Sequence, residues 1–358
     1  MIDLDQVENI LVRAPNWLGD LVMATPALRS LRSRCPNARI VVWVRAGLES
    51  VLAGSSDVDE IRTLPTSGAP WHDLRWSVRR VREAGPYDLG LCLPDSFSSA
   101  ILMRFAGGRP LVGYTNAARK LLLDQPVPVA AGGAEGRRAP REDRIQGLLT
   151  TLGVADQGVV PRLVTTPAEE EKVEGLLGGK GHRETWIGLA PGAAYGPSKC
   201  WPAERYAALG DALAKRGARI FILGAPEERE LCSAVSRQMT LPCVNLSGQL
   251  DLGAAKALIK RLDLMICNDS GARHLAVGLQ VPALVFFGPT DVSRTRRNLL
   301  NVSILEEKEV SCRPCYKRHC PTDHRCLLDL TVAQALQEAG NRLAMGWSHS
   351  AGRQEEAE

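Results

Sequence analysis

No stretch of this 358-residue chain approaches the roughly 18 consecutive apolar residues that a membrane-spanning helix needs. That absence argues against an integral membrane protein. The opening residues, Met1-Ile-Asp-Leu-Asp-Gln-Val-Glu8, have neither the basic start nor the apolar stretch of a secretory signal, which predicts a cytoplasmic protein. Peripheral attachment to the inner face of the cytoplasmic membrane needs only a surface patch and stays open. A large excess of one charge sign is also missing. The 44 Lys and Arg face 40 Asp and Glu, a net charge of +4. So small a surplus gives no reason to expect a nucleic-acid partner, which needs a concentrated basic surface. One local basic patch remains, at Arg137, Arg138, Arg141 and Arg144. No short-period repeat is visible, and the spacing that defines a P-loop is absent.

What is present is a globular composition, 45% apolar and 23% charged, long enough for two domains. Short apolar runs alternate with helical patterns. Strands are predicted at Asn9–Ala14, Ala38–Arg45, Val58–Leu64, Tyr87–Leu93 and Pro110–Tyr114. Helices are predicted over Asp20–Arg34, Trp71–Glu83, from about Phe97, and over Arg144–Leu152. The run from Ala130 to Glu142 is small, charged and aperiodic, and reads as a loop. An interdomain linker is expected within Val154–Ala168. The second half repeats the pattern. Its strands are expected at Trp186–Ala190, Arg219–Leu223, Val244–Leu246, Leu264–Cys267 and Ala283–Phe287. Its helices are expected near Ala203–Arg216, Glu227–Gln238, Leu252–Arg261 and Ala272–Leu279.

Continuous apolar strands between helices imply parallel sheets covered on both faces. The fold class is therefore α/β, with two Rossmann-like domains facing a central cleft. The expected domains span 1–160 and 161–330. A C-terminal helix, 331–347, packs back across them, and a disordered tail follows over 348–358.

The most telling motif is Ala190-Pro-Gly192-Ala-Ala-Tyr-Gly-Pro-Ser-Lys199-Cys-Trp-Pro202. An apolar strand runs into a glycine- and proline-rich turn that ends in a lysine, and a helix starts just after it. Backbone N–H groups, a positive helix end and a full charge converge there, an arrangement suited to phosphate. A second motif, Cys267-Asn-Asp269-Ser270-Gly271-Ala-Arg-His274, joins another strand to a helix. Ser270 and Gly271 offer N–H groups to a phosphate. Asp269 either orders the loop or bonds ligand hydroxyls, and His274 is either a structural histidine or a ligand contact. Glu228, after the Arg219–Leu223 strand, is suited to a ribose diol or simply balances the helix charge. Thr290, in Phe287-Gly-Pro-Thr290, belongs to a further strand-end turn lining the same cleft. In the first half, Asp20 follows the first strand in Pro15-Asn-Trp-Leu-Gly-Asp20. It is placed either to cap the helix or to act as a general base.

Ten cysteines are many for a cytosolic chain. Six are scattered, several in apolar runs, and read as buried small hydrophobes. Cys312, Cys315, Cys320 and Cys326 cluster with His319 and His324. Zinc, reduced buried thiols and a disulfide are the alternatives, although the spacing fits no common zinc module.

Taken in order, Pro15–Asp20, Leu93–Ala100, Pro191–Pro202, Asn268–His274 and Gly288–Thr290 resemble the ADP-heptose:lipopolysaccharide heptosyltransferases, glycosyltransferase family 9. The likeness runs from Ile10 to about Ala344, and the cysteine run looks like one found in many members. The resemblance implies a GT-B fold with the donor mostly in the C-terminal domain. It implies transfer of L-glycero-D-manno-heptose from ADP-heptose to the lipopolysaccharide inner core, for which heptosyl-Kdo2-lipid A is the expected acceptor. Inversion at the anomeric carbon, with no required cofactor or metal, is implied as well. Asp20 matches the proposed base and Lys199 the phosphate-binding lysine. Asp269, Ser270, Gly271 and His274 match the donor loop, to which Gly192 and Glu228 are added. Ala194 stands where relatives often carry a polar residue, so its side chain is assigned no contact. Arg13, Arg119, Lys120 and the arginines near Arg141 are expected to attract the acceptor's carboxylates and phosphates. Three alternatives stay open: another acceptor such as Kdo2-lipid A, a nucleotide-sugar epimerase, and a non-catalytic nucleotide-binding module.

Overall fold

The computed structural model describes residues 2–64, 78–79, 85–115, 118–128, 139–158, 160–181, 184–299 and 301–352. The chain forms two compact units, Met1–Val164 and Thr165–Glu358. Each is built around a six-stranded parallel sheet.

In the first unit the strands are β1 (Asn9–Arg13), β2 (Arg39–Arg45), β3 (Glu60–Leu64), β4 (Leu89–Cys92), β5 (Leu111–Thr115) and β6 (Gln125–Pro128). Their spatial order is β3-β2-β1-β4-β5-β6. The order reverses beside β1, whose Arg13 pairs with Trp43 on one side and Cys92 on the other. Helices α1 (Leu18–Arg34), α2 (Phe97–Ala106) and α3 (Arg141–Thr150) accompany the sheet. The apolar faces of β1, β2 and β4 are fully covered, which is why these strands read as unbroken hydrophobic runs.

In the second unit the strands are β7 (Thr185–Ala190), β8 (Ala218–Ile222), β9 (Cys243–Asn245), β10 (Leu264–Asn268), β11 (Ala283–Phe287) and β12 (Val302–Glu306). Their order, β12-β11-β10-β7-β8-β9, reverses beside β7. The helices are α4 (Pro167–Leu177), α5 (Ala203–Ala214), α6 (Arg229–Gln238), α7 (Leu252–Arg261), α8 (Gly271–Gly278), α9 (Arg325–Leu328) and α10 (Val332–Gly352). The core includes Trp201, stacked on Phe286 with ring centroids 4.2 Å apart and edge-on to Tyr206. The Trp201 indole donates to the Leu330 carbonyl at 3.0 Å, so a polar atom goes under cover already paired.

The expected α/β class with two parallel sheets is found. Several details differ from the sequence reading. Two edge strands, β6 and β12, were not anticipated. Helix α4 lies partly where a linker was expected. Thr166 caps it by accepting from the Glu169 N–H while Glu169 accepts from the Thr166 N–H. Buried Lys256 on α7 then pairs with Glu169 at 3.1 Å and ties α4 to the unit. Helix α10 packs on α5 and strands β10 to β12, all within the second unit. It runs to Gly352, so the first five residues of the expected tail are helical. Most of the helix expected over Trp71–Glu83, and residues 130–138 of the expected loop, lie outside the described residues.

Candidate functional site

In a doubly wound sheet, ligands bind beyond the carboxyl ends of the strands where the strand order reverses. Each unit has one such point, and an ion pair marks both. In the second unit the point lies between β7 and β10. The turn after β7 delivers Lys199, and the turn after β10 delivers Asp269. The Lys199 ammonium donates to the Asp269 carboxylate at 2.6 Å and to the Asp269 carbonyl at 2.9 Å. Thr290 donates to the same carboxylate oxygen at 2.8 Å, and the buried Arg273 guanidinium lies 3.7 Å from the other. Burial alone would raise the Asp269 pKa. The charges of Arg273 and Lys199, with the hydrogen bonds from Lys199 and Thr290, outweigh it and bring the pKa down to about 2.

Asn268, at the end of β10 and fully buried, holds this corner together. Its amide nitrogen donates to the Pro191 carbonyl at 2.7 Å. Its amide oxygen accepts from the Trp201 backbone N–H at 3.0 Å and from the Tyr206 hydroxyl at 3.2 Å. One side chain thus fixes both ends of the turn that carries Lys199. Gly192 lies on the same turn. A β-carbon there would stand 2.1 Å from the Glu228 carboxylate carbon, so a side chain at 192 would collide with Glu228. Burial raises the Glu228 pKa, opposed by a hydrogen bond from the Ala225 N–H at 2.9 Å.

Helix α8 begins beside Asp269. Ser270 precedes it in extended conformation, and its side chain makes no capping bond. The first N–H groups, starting at Gly271, are therefore not taken by a side-chain cap. His274 on the first turn is buried. Arg273, which can only donate, lies 3.0 Å from His274 Nε2, and this puts the neutral ring's proton on Nδ1. Burial, reinforced by Arg273, holds the His274 pKa well below its usual value, so the ring is neutral near pH 7. Among the described residues His274 Nδ1 has no hydrogen-bond partner. The corner therefore combines one ammonium, one guanidinium, an uncapped helix start and an imidazole N–H, a set suited to an anionic ligand bearing hydroxyls.

The cysteine-rich segment braces the Lys199 turn. The Tyr195 hydroxyl donates to the Tyr316 carbonyl, and the Ser198 hydroxyl to the Lys317 carbonyl. The Ser198 N–H donates to the Arg318 carbonyl at 3.2 Å, and Arg318 Nε to the Tyr195 carbonyl at 2.7 Å. His324 Nε2 lies 2.7 Å from the Ser198 carbonyl. All ten cysteines are free. Among the described residues no group of three or more His, Cys, Asp or Glu side chains is placed to share a metal ion. The run is not uniformly buried: Cys326 is buried, Cys315 and Cys320 are half-buried and Cys312 is exposed.

In the first unit the reversal point lies between β1 and β4. Asp20 sits in the first turn of α1, which Trp17 precedes without a side-chain cap. The Asp20 carboxylate instead accepts from Arg141 at 3.0 Å. The other end of the Arg141 guanidinium lies 3.5 Å from Asp95, the residue after Pro94 beyond β4. Asp95 also accepts from Arg144 at 2.7 Å. Next to this network is an open depression of about 430 Å³ lined by Arg13, Asn16, Trp17 and Arg45. Trp17 is 57% exposed.

The expected acceptor residues separate here. Arg13 is buried and donates to the Ala14 and Trp43 carbonyls and to Asn16, and burial lowers its pKa to about 10. It stays a cation near neutrality and lines the depression. Arg119 does not fit the expectation. Its side chain is fully buried, with the guanidinium 2.9 Å from Cys92 Sγ, so it supports β4 from within. Lys120 is exposed. Asp95, Asn268 and Arg273 were not anticipated as site residues, although each sits in a motif singled out above. Asp95 and Asn268 had a positional signal, as the first polar residues at the end of an apolar strand, whereas Arg273 lies on the first turn of α8 and had none.

The model of glycosyltransferase family 9 (heptosyltransferase) matches residues 75–325. The chain is similar to lipooligosaccharide heptosyltransferase 2 of Haemophilus influenzae, 28% identical over 363 residues that cover 94% of this chain and 99% of that one. It is 29% identical over 290 residues to lipopolysaccharide heptosyltransferase 2 of Escherichia coli K12, covering 78% of this chain and 83% of that one. Among solved structures, ADP-heptose LPS heptosyltransferase II of E. coli superposes with a TM-score of 0.78 at 25% identity, covering 94% of this chain and 99% of that one. A family 9 glycosyltransferase from Veillonella parvula gives a TM-score of 0.83 at 22% identity, covering 96% and 99%, and supports the fold.

Proposed function

Because this chain belongs to glycosyltransferase family 9, the heptosyltransferases, we propose that it moves heptose from ADP-heptose onto the first heptose of the lipopolysaccharide inner core. The similarity to heptosyltransferase 2 proteins, over 94% of the chain for the Haemophilus influenzae protein and 78% for the Escherichia coli one, supports this acceptor. The observation that carries the donor assignment is Lys199 beside the uncapped start of α8 at the reversal point of the second sheet.

The reaction is read as inverting, with no metal required. The acceptor hydroxyl oxygen attacks the anomeric carbon while Asp20 takes its proton. The bond from that carbon to the β-phosphate oxygen breaks, and ADP leaves with the electron pair. Lys199 and the N–H groups from Ser270 and Gly271 neutralise the growing phosphate charge. For Lys199 to do so, its ammonium must turn from Asp269 to the phosphate or serve both. Asp269 and His274 bind sugar hydroxyls, and Glu228 takes the ribose diol. Gly192 gives the nucleotide a side-chain-free surface. Arg13 and Lys120 draw in the acceptor's anionic groups. Exposed Leu121 beside Lys120 supports brief contact with an anionic membrane surface; co-sedimentation with anionic vesicles that a Leu121→Glu variant does not lose would reject that contact.

The test is ADP release from ADP-heptose with defined acceptors. Release with heptosyl-Kdo2-lipid A is expected. Release only with Kdo2-lipid A would reassign the acceptor. Conversion of the donor without any acceptor would point to epimerase chemistry.

A further inference from the structure

Arg141 is shared between two carboxylates, Asp20 in the first turn of α1 and Asp95 just beyond β4. Its Nη2 is 3.0 Å from Asp20, and its Nη1 is 3.5 Å from Asp95. The two carboxylates are not equivalent. Asp95 has a second cation, Arg144, at 2.7 Å. Arg144 is itself held, with its guanidinium over the Tyr114 ring at 5.6 Å and its carbonyl accepting from the Tyr114 hydroxyl at 2.6 Å. If Arg141 turns away, Asp95 keeps its counter-charge in Arg144 while Asp20 loses its hydrogen bond from Arg141. Arg141 is also within reach of solutes, its side chain 30% exposed and that of Asp20 22%.

We propose that Arg141 is a positioning residue that restrains Asp20 until an anionic group of the acceptor draws the guanidinium away. The proposal rests on the reading of Asp20 as the base. A planar guanidinium binds carboxylate and phosphate in two-pronged fashion, so an incoming acceptor anion competes well for it. While Arg141 donates to Asp20, one carboxylate oxygen is occupied and the other is held in a fixed direction. Water reaching the donor then meets a base that is not free to turn toward it. The wasteful reaction this suppresses is donor hydrolysis. In it a water oxygen bonds to the anomeric carbon, the bond to the β-phosphate oxygen breaks, ADP departs with the electron pair, and Asp20 takes the water's proton. In productive transfer the acceptor hydroxyl replaces water, and the acceptor's charge releases the base.

The experiment measures ADP release from ADP-heptose by the full chain, with and without heptosyl-Kdo2-lipid A. Wild type is compared with Arg141→Gln, Arg141→Lys, Asp20→Ala and the Arg141→Gln/Asp20→Ala double variant. Arg141→Gln is expected to raise acceptor-free release by about tenfold and to raise the acceptor KM more than it lowers kcat. Arg141→Lys, which keeps the charge without the fork, should fall between. The double variant should lose the extra hydrolysis. Unchanged acceptor-free release in both Arg141 variants would overturn the proposal, as would extra hydrolysis that survives in the double variant. Full transfer by Asp20→Ala would instead sink the base assignment, which separates the two failures.

Discussion

The Lys199 ammonium lies 2.6 Å from the Asp269 carboxylate and is bonded to the Asp269 carbonyl as well. The lysine proposed to hold phosphate is thus aimed across the reversal point of the sheet. Truncating Lys199 to Ala should weaken ADP binding by about tenfold to a hundredfold, the worth of one charged hydrogen bond. Calorimetric titration measures this directly; wild-type affinity would remove Lys199 from the phosphate site.

The same pair sets an acid limit. Asp269 has its pKa lowered to about 2 in the folded protein, against about 3.9 for a free aspartate. A lowered pKa means the contribution is full above roughly pH 4 and is lost as pH falls through about 2. Asp269→Asn should cost about 3 kcal/mol at pH 7, because it leaves Arg273 and Lys199 without their anion. Urea unfolding at pH 7 and pH 4 should show an equal deficit at both; a deficit already gone at pH 4 contradicts the assignment.

Asp20 and the nucleotide corner belong to different compact units. Asp20→Ala should therefore lower kcat by about 10²- to 10⁴-fold while leaving ADP affinity as it was. Steady-state rates paired with ADP titration check both halves of the statement.

Gly192 and Glu228 make a sharper test of the ribose assignment. A methyl at 192 has no room unless the Glu228 carboxylate moves. Gly192→Ala and Glu228→Gln should each weaken ADP about tenfold, roughly one hydrogen bond to a charged group. Both should weaken 2′-deoxy-ADP much less. Equal losses for the two nucleotides would place Glu228 away from the ribose.

Thiol chemistry should divide the cysteine run. A hydrogen bond from Thr322 lowers the Cys320 pKa. Burial pushes Cys326 up to about 11 and Cys267 to about 12. Alkylation by iodoacetamide at pH 7.5, followed by peptide mass spectrometry, should label Cys320 well before Cys326 or Cys267. The reverse order would mean that the segment rearranges in solution.

The strands were legible because a parallel sheet covered on both faces leaves unbroken apolar runs, as in Ile40–Val44 and Ala283–Phe287. The two missed strands are edges. Gln125-Pro-Val-Pro128 has two prolines and no run to notice, and β12 buries only its first two residues fully, one of them Ser303. Helix α4 buries only Val173 among its eleven residues, so no stripe announced it, although its Thr166-Pro-Ala-Glu169 start follows the capping-box pattern. Lys199 and Asp269 were legible as members of strand-end turns, but their pairing was not. Arg119 misled because an arginine in sequence reads as surface, whereas burial against Cys92 is a tertiary fact. Arg141 and Asp95 are partners 46 residues apart by their numbering, and no local pattern joins them.

The hydrogen bonds from Tyr195 and Ser198 to carbonyls at 316–318 cross about 120 residues of chain. During synthesis the Lys199 turn emerges long before the segment that braces it. A nascent chain that has completed β7 and β10 still lacks that support. If this turn holds a nucleotide, as proposed, its full support follows only once residues 316–318 have been made.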